Sequence, residues 1–108
     1  MTFARSEKID AVRAALGPVV DPELGISIID LGLVRGVDVH GDADQVLVYL
    51  TLTSPMCPMG PQIIQSVRDA AEQLPWAGAV EIQLVWRPLW DPKVDASEEV
   101  RAELGLWL

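Results

Sequence analysis

Gln45-Val46-Leu47-Val48-Tyr49-Leu50-Thr51-Leu52-Thr53 runs directly into Ser54-Pro55-Met56-Cys57-Pro58-Met59-Gly60-Pro61, and the join between these two stretches decides the architecture. The first stretch alternates, with Val46, Val48, Leu50 and Leu52 on one face and Leu47, Tyr49, Thr51 and Thr53 on the other, which is the period of a strand. After Pro61, residues Ile63, Ile64, Val67, Ala70, Ala71 and Leu74 recur at helical spacing until Pro75 ends the stripe. The loop between strand and helix carries Cys57, the only cysteine of the chain. A thiol ahead of a helix feels unpaired backbone N–H groups and the positive end of the macrodipole, and both favour the thiolate, the form that binds metals and attacks electrophiles. A buried, inert thiol is the other reading, because free cysteine is among the most buried residue types.

Outward from this join the pattern stays regular. Leu33 to Val39 alternates as a strand, His40-Gly41-Asp42-Ala43-Asp44 is a turn, and a hairpin with the Gln45–Thr53 strand follows. Ser6 to Leu16 carries Ile9, Val12 and Leu16 at spacings of three and four, with Ser6 as N-cap and Gly17-Pro18 as stop, so it reads as an amphipathic helix. Val19 to Gly25 is a connector in which Asp21 can cap a turn opening at Pro22. Ala79 to Trp86 reads as a third strand. Arg87 to Pro92 reads as irregular, and Asp95-Ala96-Ser97-Glu98 offers a capping box for a last helix through Leu104, closed by Gly105.

The resulting order is helix, strand, strand, helix, strand, helix: a small α/β fold with a three-stranded mixed sheet and helices mainly on one face. The chain of 108 residues, half of them apolar, is expected to form a single domain spanning residues 1–108. Connectivity then fixes directions. A hairpin makes the first two strands antiparallel, and a crossover helix makes the second and third parallel. The start of the first strand, the end of the second and the end of the third therefore share one edge, which gathers Asp30, the Thr53–Gly60 loop and Trp86 to Trp90. The Asp21-Pro22-Glu23 connector is expected to close over it.

Composition narrows the function. A formal charge of −8, with eight dispersed bases, argues against nucleic acid. No apolar run is long enough for a membrane span, and Met1 to Arg5 lacks a signal core. One cysteine cannot form an internal disulfide framework, and a single histidine adds too little for a closed zinc site, so a reducing cytoplasm fits best. A Cys-His nucleophilic pair is excluded by reach: His40 lies at the far end of a strand that rises about 3.3 Å per residue, roughly 25 Å from the thiol. Asp21, Glu23 and Asp30 can serve the site as bases or ligand orienters. They can equally be a cap, a surface residue and a turn residue bonded to backbone. Trp86 and Trp90 can pack in the core or shield a metal-sulfur centre from water.

Four segments in this order, Val20-Asp21-Pro22-Glu23, Asp30-Leu31-Gly32-Leu33-Val34, Thr51 to Pro58 and Val85-Trp86-Arg87-Pro88-Leu89-Trp90, resemble the SufT and PaaD type of small iron-sulfur assembly proteins, which includes the eukaryotic cytosolic iron-sulfur targeting factors. The likeness runs from about residue 5 to about residue 105. It implies an iron-sulfur-carrier-like fold and a non-enzymatic role in assembling or delivering iron-sulfur clusters, with Cys57 at the position of the family's key cysteine. It further matches Asp21 and Asp30 to the family's acidic positions and Thr53 to the threonine ahead of the cysteine. PaaD-type members carry an additional cysteine-rich region, whereas no cysteine follows Cys57 here, so the SufT-like reading is preferred over a PaaD-like accessory protein for maturation of an oxygenase.

A cluster takes about four thiolate-type ligands, and one chain supplies one. Cys57 is therefore expected to act as a transient cluster or metal ligand, either bridging two chains as a homodimer or holding a cluster during handover, with Thr53 and Asp30 orienting the loop. The expected partners are apo iron-sulfur clients and the assembly machinery. A protein-binding adaptor without its own cluster is the competing expectation.

Overall fold

A computed structural model of the chain describes residues 5–53, 60–87 and 90–103. Helix α1 spans Arg5–Leu16 and buries Val12 and Leu16, with Ile9 half-buried against the same core. Ser6 lies inside its first turn and is not the cap that spacing suggests. The chain then reverses through Gly17 and Pro18, where Gly17 N donates to Ala14 O at 3.2 Å and Val19 N to Leu16 O at 3.0 Å.

The connector contains structure that its Pro and Gly concealed. Val20–Asp21 (β1) pairs antiparallel with Ile26–Ser27 (β2), forming a two-stranded ribbon of its own. Residues 28–33 turn tightly afterwards, and Ile28, Leu31 and Leu33 are all fully buried.

The main sheet has the order β3-β4-β5, with β3 at Val34–His40, β4 at Gln45–Leu50 and β5 at Val80–Leu84. β3 is antiparallel to β4, and β5 is parallel to it. This is the expected mixed sheet. The apolar face of β4 is the expected one too: Val46, Val48 and Leu50 are buried beside their partners Val39 and Val80. In β3 simple alternation fails. A register shift between Val34 and Gly36 takes Arg35 out of the pairing row.

Helix α2, Gly60–Glu72, crosses from β4 to β5 and buries Ile63, Val67 and Ala71. It begins one residue ahead of Pro61, whose missing N–H costs nothing in a first turn. Truncating Ile63 to alanine would cost about 2–5 kcal/mol, the range for a fully enclosed aliphatic side chain. From α2, Arg68 donates to the Val80 carbonyl at 2.7 Å, covering an acceptor on the outer strand of the sheet.

The C-terminal stretch forms two short helices, α3 (Pro92–Asp95) and α4 (Glu98–Glu103), where sequence suggested an irregular segment and one helix. Ser97 Oγ accepts from Val100 N at 3.3 Å, so Ser97 starts α4 and Asp95 ends α3. The expected stop at Leu104 and Gly105 lies outside the described residues.

Candidate functional site

Register places Val34, Leu50 and Leu84 side by side, so the start of β3 and the ends of β4 and β5 lie along one sheet edge. Pairing continues past the assigned strands, with Thr51 N donating to Leu33 O at 2.8 Å and Val85 N to Leu50 O at 2.9 Å. From Leu33 the bonding carries on into the small ribbon. Leu33 N donates to Ile28 O at 2.9 Å, and Ile28 N to Val19 O at 2.9 Å. This unbroken row ties the Asp21 ribbon to the strand that feeds the cysteine loop. The connector is thus joined to that edge through Leu33.

Cys57 belongs to segment 54–59, which lies outside the described residues together with Pro55, Met56, Pro58 and Met59. Its two flanking residues are Thr53 and Gly60. Thr53 is half-buried at the end of the β4 extension, and Gly60 is buried at the start of α2. The Leu52 side chain packs on Gly60 so closely that a Cβ there would lie 2.9 Å from Leu52 Cδ1. Leu52 and Gly60 are thereby in direct contact.

Asp21 is 2 % exposed, and its Oδ1 accepts from Glu23 N at 2.8 Å and Leu24 N at 3.3 Å, while its carbonyl accepts from Gly25 N at 2.7 Å. It organises the Pro22–Gly25 turn, the role that a carboxylate two residues ahead of free amides performs. Asp30 differs. Its side chain is exposed, and its carbonyl accepts from Ser97 N at 2.8 Å. Glu23 is exposed on the Asp21 turn.

The C-terminal stretch grips this same region. Trp90 Nε1 donates to Leu31 O at 2.7 Å, Arg35 pairs with Asp95 Oδ2 at 3.3 Å, and Asp95 Oδ2 also accepts from Asp91 N at 2.8 Å. Gly32, at φ +75°, lies beneath the Asp95 backbone: a Cβ there would be 2.1 Å from Asp95 O. Trp90 is half-buried against the core, its indole committed to Leu31, and Trp86 packs on the same core. Residue pattern does not signal this clasp, because two of its bonds go to the backbone carbonyls of Leu31 and Asp30.

His40 is exposed and pairs with Gln45 at the opposite end of the hairpin. Near it, Arg5, Lys8, Val39, His40, Gly41 and Asp44 line a hollow of about 250 Å³ whose cations are already matched, Arg5 with Asp38 and Lys8 with Asp44 at 2.7 Å. The Arg5 guanidinium holds the Asp38 carboxyl below its ordinary pKa. Among the described residues, no three His, Cys, Asp or Glu side chains gather closely enough to hold a metal ion, and no helix is long and apolar enough to cross a membrane.

One residue was overlooked by sequence reasoning. Thr51 is 0 % exposed, and its Oγ1 has no hydrogen-bond partner among the described residues. Alternation sets this hydroxyl on the face of Leu47, Tyr49 and Thr53, which says nothing of its burial.

Residues 9–84 match the family model described as iron-sulfur cluster assembly protein. The chain belongs to this family. A relative in Staphylococcus aureus, the Fe-S protein maturation auxiliary factor SufT, is 49% identical over 72 residues, covering 67% of this chain and 81% of that protein. A Porphyromonas gingivalis Fe-S protein maturation auxiliary factor is 41% identical over 103 residues, 95% of this chain and 94% of its own length. Among solved structures, a domain of unknown function from Bacillus anthracis superposes with a TM-score of 0.86 at 31% identity, covering 95% of this chain and 96% of that one. The family match stops at Leu84, so the Trp90–Glu103 clasp lies beyond it.

Proposed function

We propose that this chain assembles or delivers iron-sulfur clusters as a carrier and not as a catalyst, with Cys57 as the ligand that holds the cluster in transit. The observation that supports the reading is the unbroken backbone row from Val19 through Ile28 and Leu33 to Thr51, which joins the Asp21 ribbon to the strand extension that leads toward the cysteine segment. The cluster is cargo. One cysteine per chain leaves about three of its ligand positions to be filled by a second copy, by small thiols or by the client protein, which suits a site that must let go. A homodimer that shares one cluster through both Cys57 thiolates is the closed form of this arrangement.

Cys57 comes three residues before the first residue of α2, a helix of 13 residues whose first turn leaves N–H groups without intrahelical partners. Those groups favour thiolate over thiol and so favour a metal–sulfur bond. Asp21 contributes by fixing the Pro22–Gly25 turn, and Thr53 by ending the strand where the cysteine segment departs. Asp30, exposed at the edge, presents its carboxylate to the incoming partner. Client apoproteins and the assembly machinery in a reducing cytoplasm are the partners this chemistry fits.

Anaerobic reconstitution with ferrous iron and sulfide tests the reading. Wild type is expected to develop the visible absorption of a protein-bound cluster and to double in mass by light scattering, and Cys57→Ser to do neither. Cluster uptake by Cys57→Ser equal to wild type would remove Cys57 from the role.

A further inference from the structure

We infer that the C-terminal stretch 90–103 and the Asp21 ribbon open and close as one cooperative unit, with the Asp30–Leu33 turn as the latch between them. The inference concerns the fold itself and stands apart from the carrier function proposed above. Neither partner is long enough to be stable alone. The ribbon pairs only Val20 with Ser27 and Asp21 with Ile26, and even a full two-stranded hairpin is marginal in water. α3 has four residues and α4 six, against the roughly 12–15 that an isolated helix needs. Each must therefore take its order from a neighbour.

The two meet at the turn. On the ribbon side, Leu31 N donates to Ser27 O at 3.0 Å, Leu33 N to Ile28 O at 2.9 Å and Ile28 N to Val19 O at 2.9 Å. On the C-terminal side, Asp30 O accepts from Ser97 N at 2.8 Å and Leu31 O from Trp90 Nε1 at 2.7 Å. Gly32 interlocks the halves, because its positive φ carries the chain beneath Asp95, where no Cβ fits. An opening that frees the turn thus removes the acceptors that the C-terminal stretch uses. Loss of that stretch in turn removes the donors that fix the turn. Sub-global openings follow such contiguous units. The coupling is reciprocal, so whatever steadies the ribbon steadies the C-terminal stretch by the same amount. The main sheet marks the boundary: β4 is paired on both sides, by β3 and by β5, and opens with the whole molecule.

Native-state hydrogen exchange on the full-length chain, followed by NMR in low urea, tests this. The amides of Ile28 and Leu31 report the ribbon side, and those of Asp95 and Ser97 the C-terminal side. The amide of Val46, bonded to Ala79 O at 2.9 Å in the central strand, reports global unfolding. The first four should share one opening free energy, lower than that of Val46. Trp90→Phe, which removes the indole donor and keeps an aromatic ring, should speed exchange at all four by the same factor, about fivefold, the value for one hydrogen bond of ordinary net strength. Asp21→Ala acts from the opposite end and should also speed all four alike. Acceleration confined to Asp95 and Ser97 in Trp90→Phe, or to Ile28 and Leu31 in Asp21→Ala, overturns the inference. Exchange of all five amides with one free energy overturns it too, since the whole protein is then the only unit. Should Trp90→Phe fail to fold, wild type and Asp21→Ala decide between these outcomes by themselves.

Discussion

Replacing Gly32 by alanine puts a number on the clasp between the C-terminal stretch and the Asp30–Leu33 turn. Two costs combine at this position. The backbone sits at φ +75°, where an L side chain costs roughly 1–2 kcal/mol. A Cβ would also lie 2.1 Å from Asp95 O and 2.6 Å from Asp95 C, main-chain atoms that can yield only if α3 moves away. Displacement of α3 endangers the Trp90 Nε1 bond to Leu31 O and the Ser97 N bond to Asp30 O, each contributing about 1 kcal/mol. Gly32→Ala should therefore destabilise the protein by about 3–4 kcal/mol in urea unfolding. Gly25 supplies the control: it has nearly the same φ, +68°, but nothing lies within 4 Å of its Cβ position, so Gly25→Ala should cost only the conformational part, about 1–2 kcal/mol. The difference between the two variants isolates the clash. Trp90 fluorescence should shift on Gly32→Ala and stay unchanged on Gly25→Ala. Equal costs for the two substitutions would refute the close approach of Gly32 to Asp95.

Asp21→Ala should lose about 1–3 kcal/mol in thermal unfolding because Glu23 N and Leu24 N lose their acceptor, whereas Asp21→Asn, which keeps a carbonyl oxygen, should lose much less. If Asp21→Ala takes up iron and sulfide like wild type, Asp21 serves the turn alone. Lys8→Met should destabilise by about 1 kcal/mol or more, since Lys8 joins α1 to Asp44 of the hairpin and lies 5.8 Å from the Trp76 ring centre; double-mutant cycles with Asp44→Asn and with Trp76→Leu would apportion the two contacts. Asp38 should titrate below its ordinary value by NMR, chiefly through its hydrogen bond to Arg5, and Arg5→Gln should bring it back. A carboxyl depressed in the folded state adds stability above its unfolded pKa and loses it as pH falls through the folded value. Arg5→Gln should therefore leave the protein less stable at neutral pH and no different in strong acid, with the gap closing below the ordinary carboxylate range.

Hydrophobic period made the main architecture legible. Val46, Val48 and Leu50 alternate because one sheet face is buried, and Ile63, Val67 and Ala71 recur because α2 covers that face. The edge that gathers the candidate site follows from connectivity alone, since hairpins and crossovers set strand direction. Period could not reveal the Arg35 irregularity, because a bulge leaves residue types unchanged while rotating one of them out of the row. Nor could it reveal the ribbon at Asp21–Ile26, whose two-residue strands are shorter than any detectable alternation. Asp21 could be read from sequence as a capping residue, and it is one. The burial of Thr51 could not be read, because an enclosed hydroxyl and a solvated one have the same letter.

Arg68, resting on the outward carbonyl of Val80, also bears on how two copies of this chain can meet. It obstructs a neighbour that tries to extend the sheet from β5. Strand direction weighs against such a neighbour independently: a twofold axis through the β5 border would align the two copies head to tail, and the ends of β4 that lead toward the cysteine segment would point away from one another. Under the proposed sharing of one cluster, two copies would have to meet instead at the sheet edge where β4 ends. Extension of the sheet from β5 and the proposed sharing of a cluster thus call on different edges of this molecule.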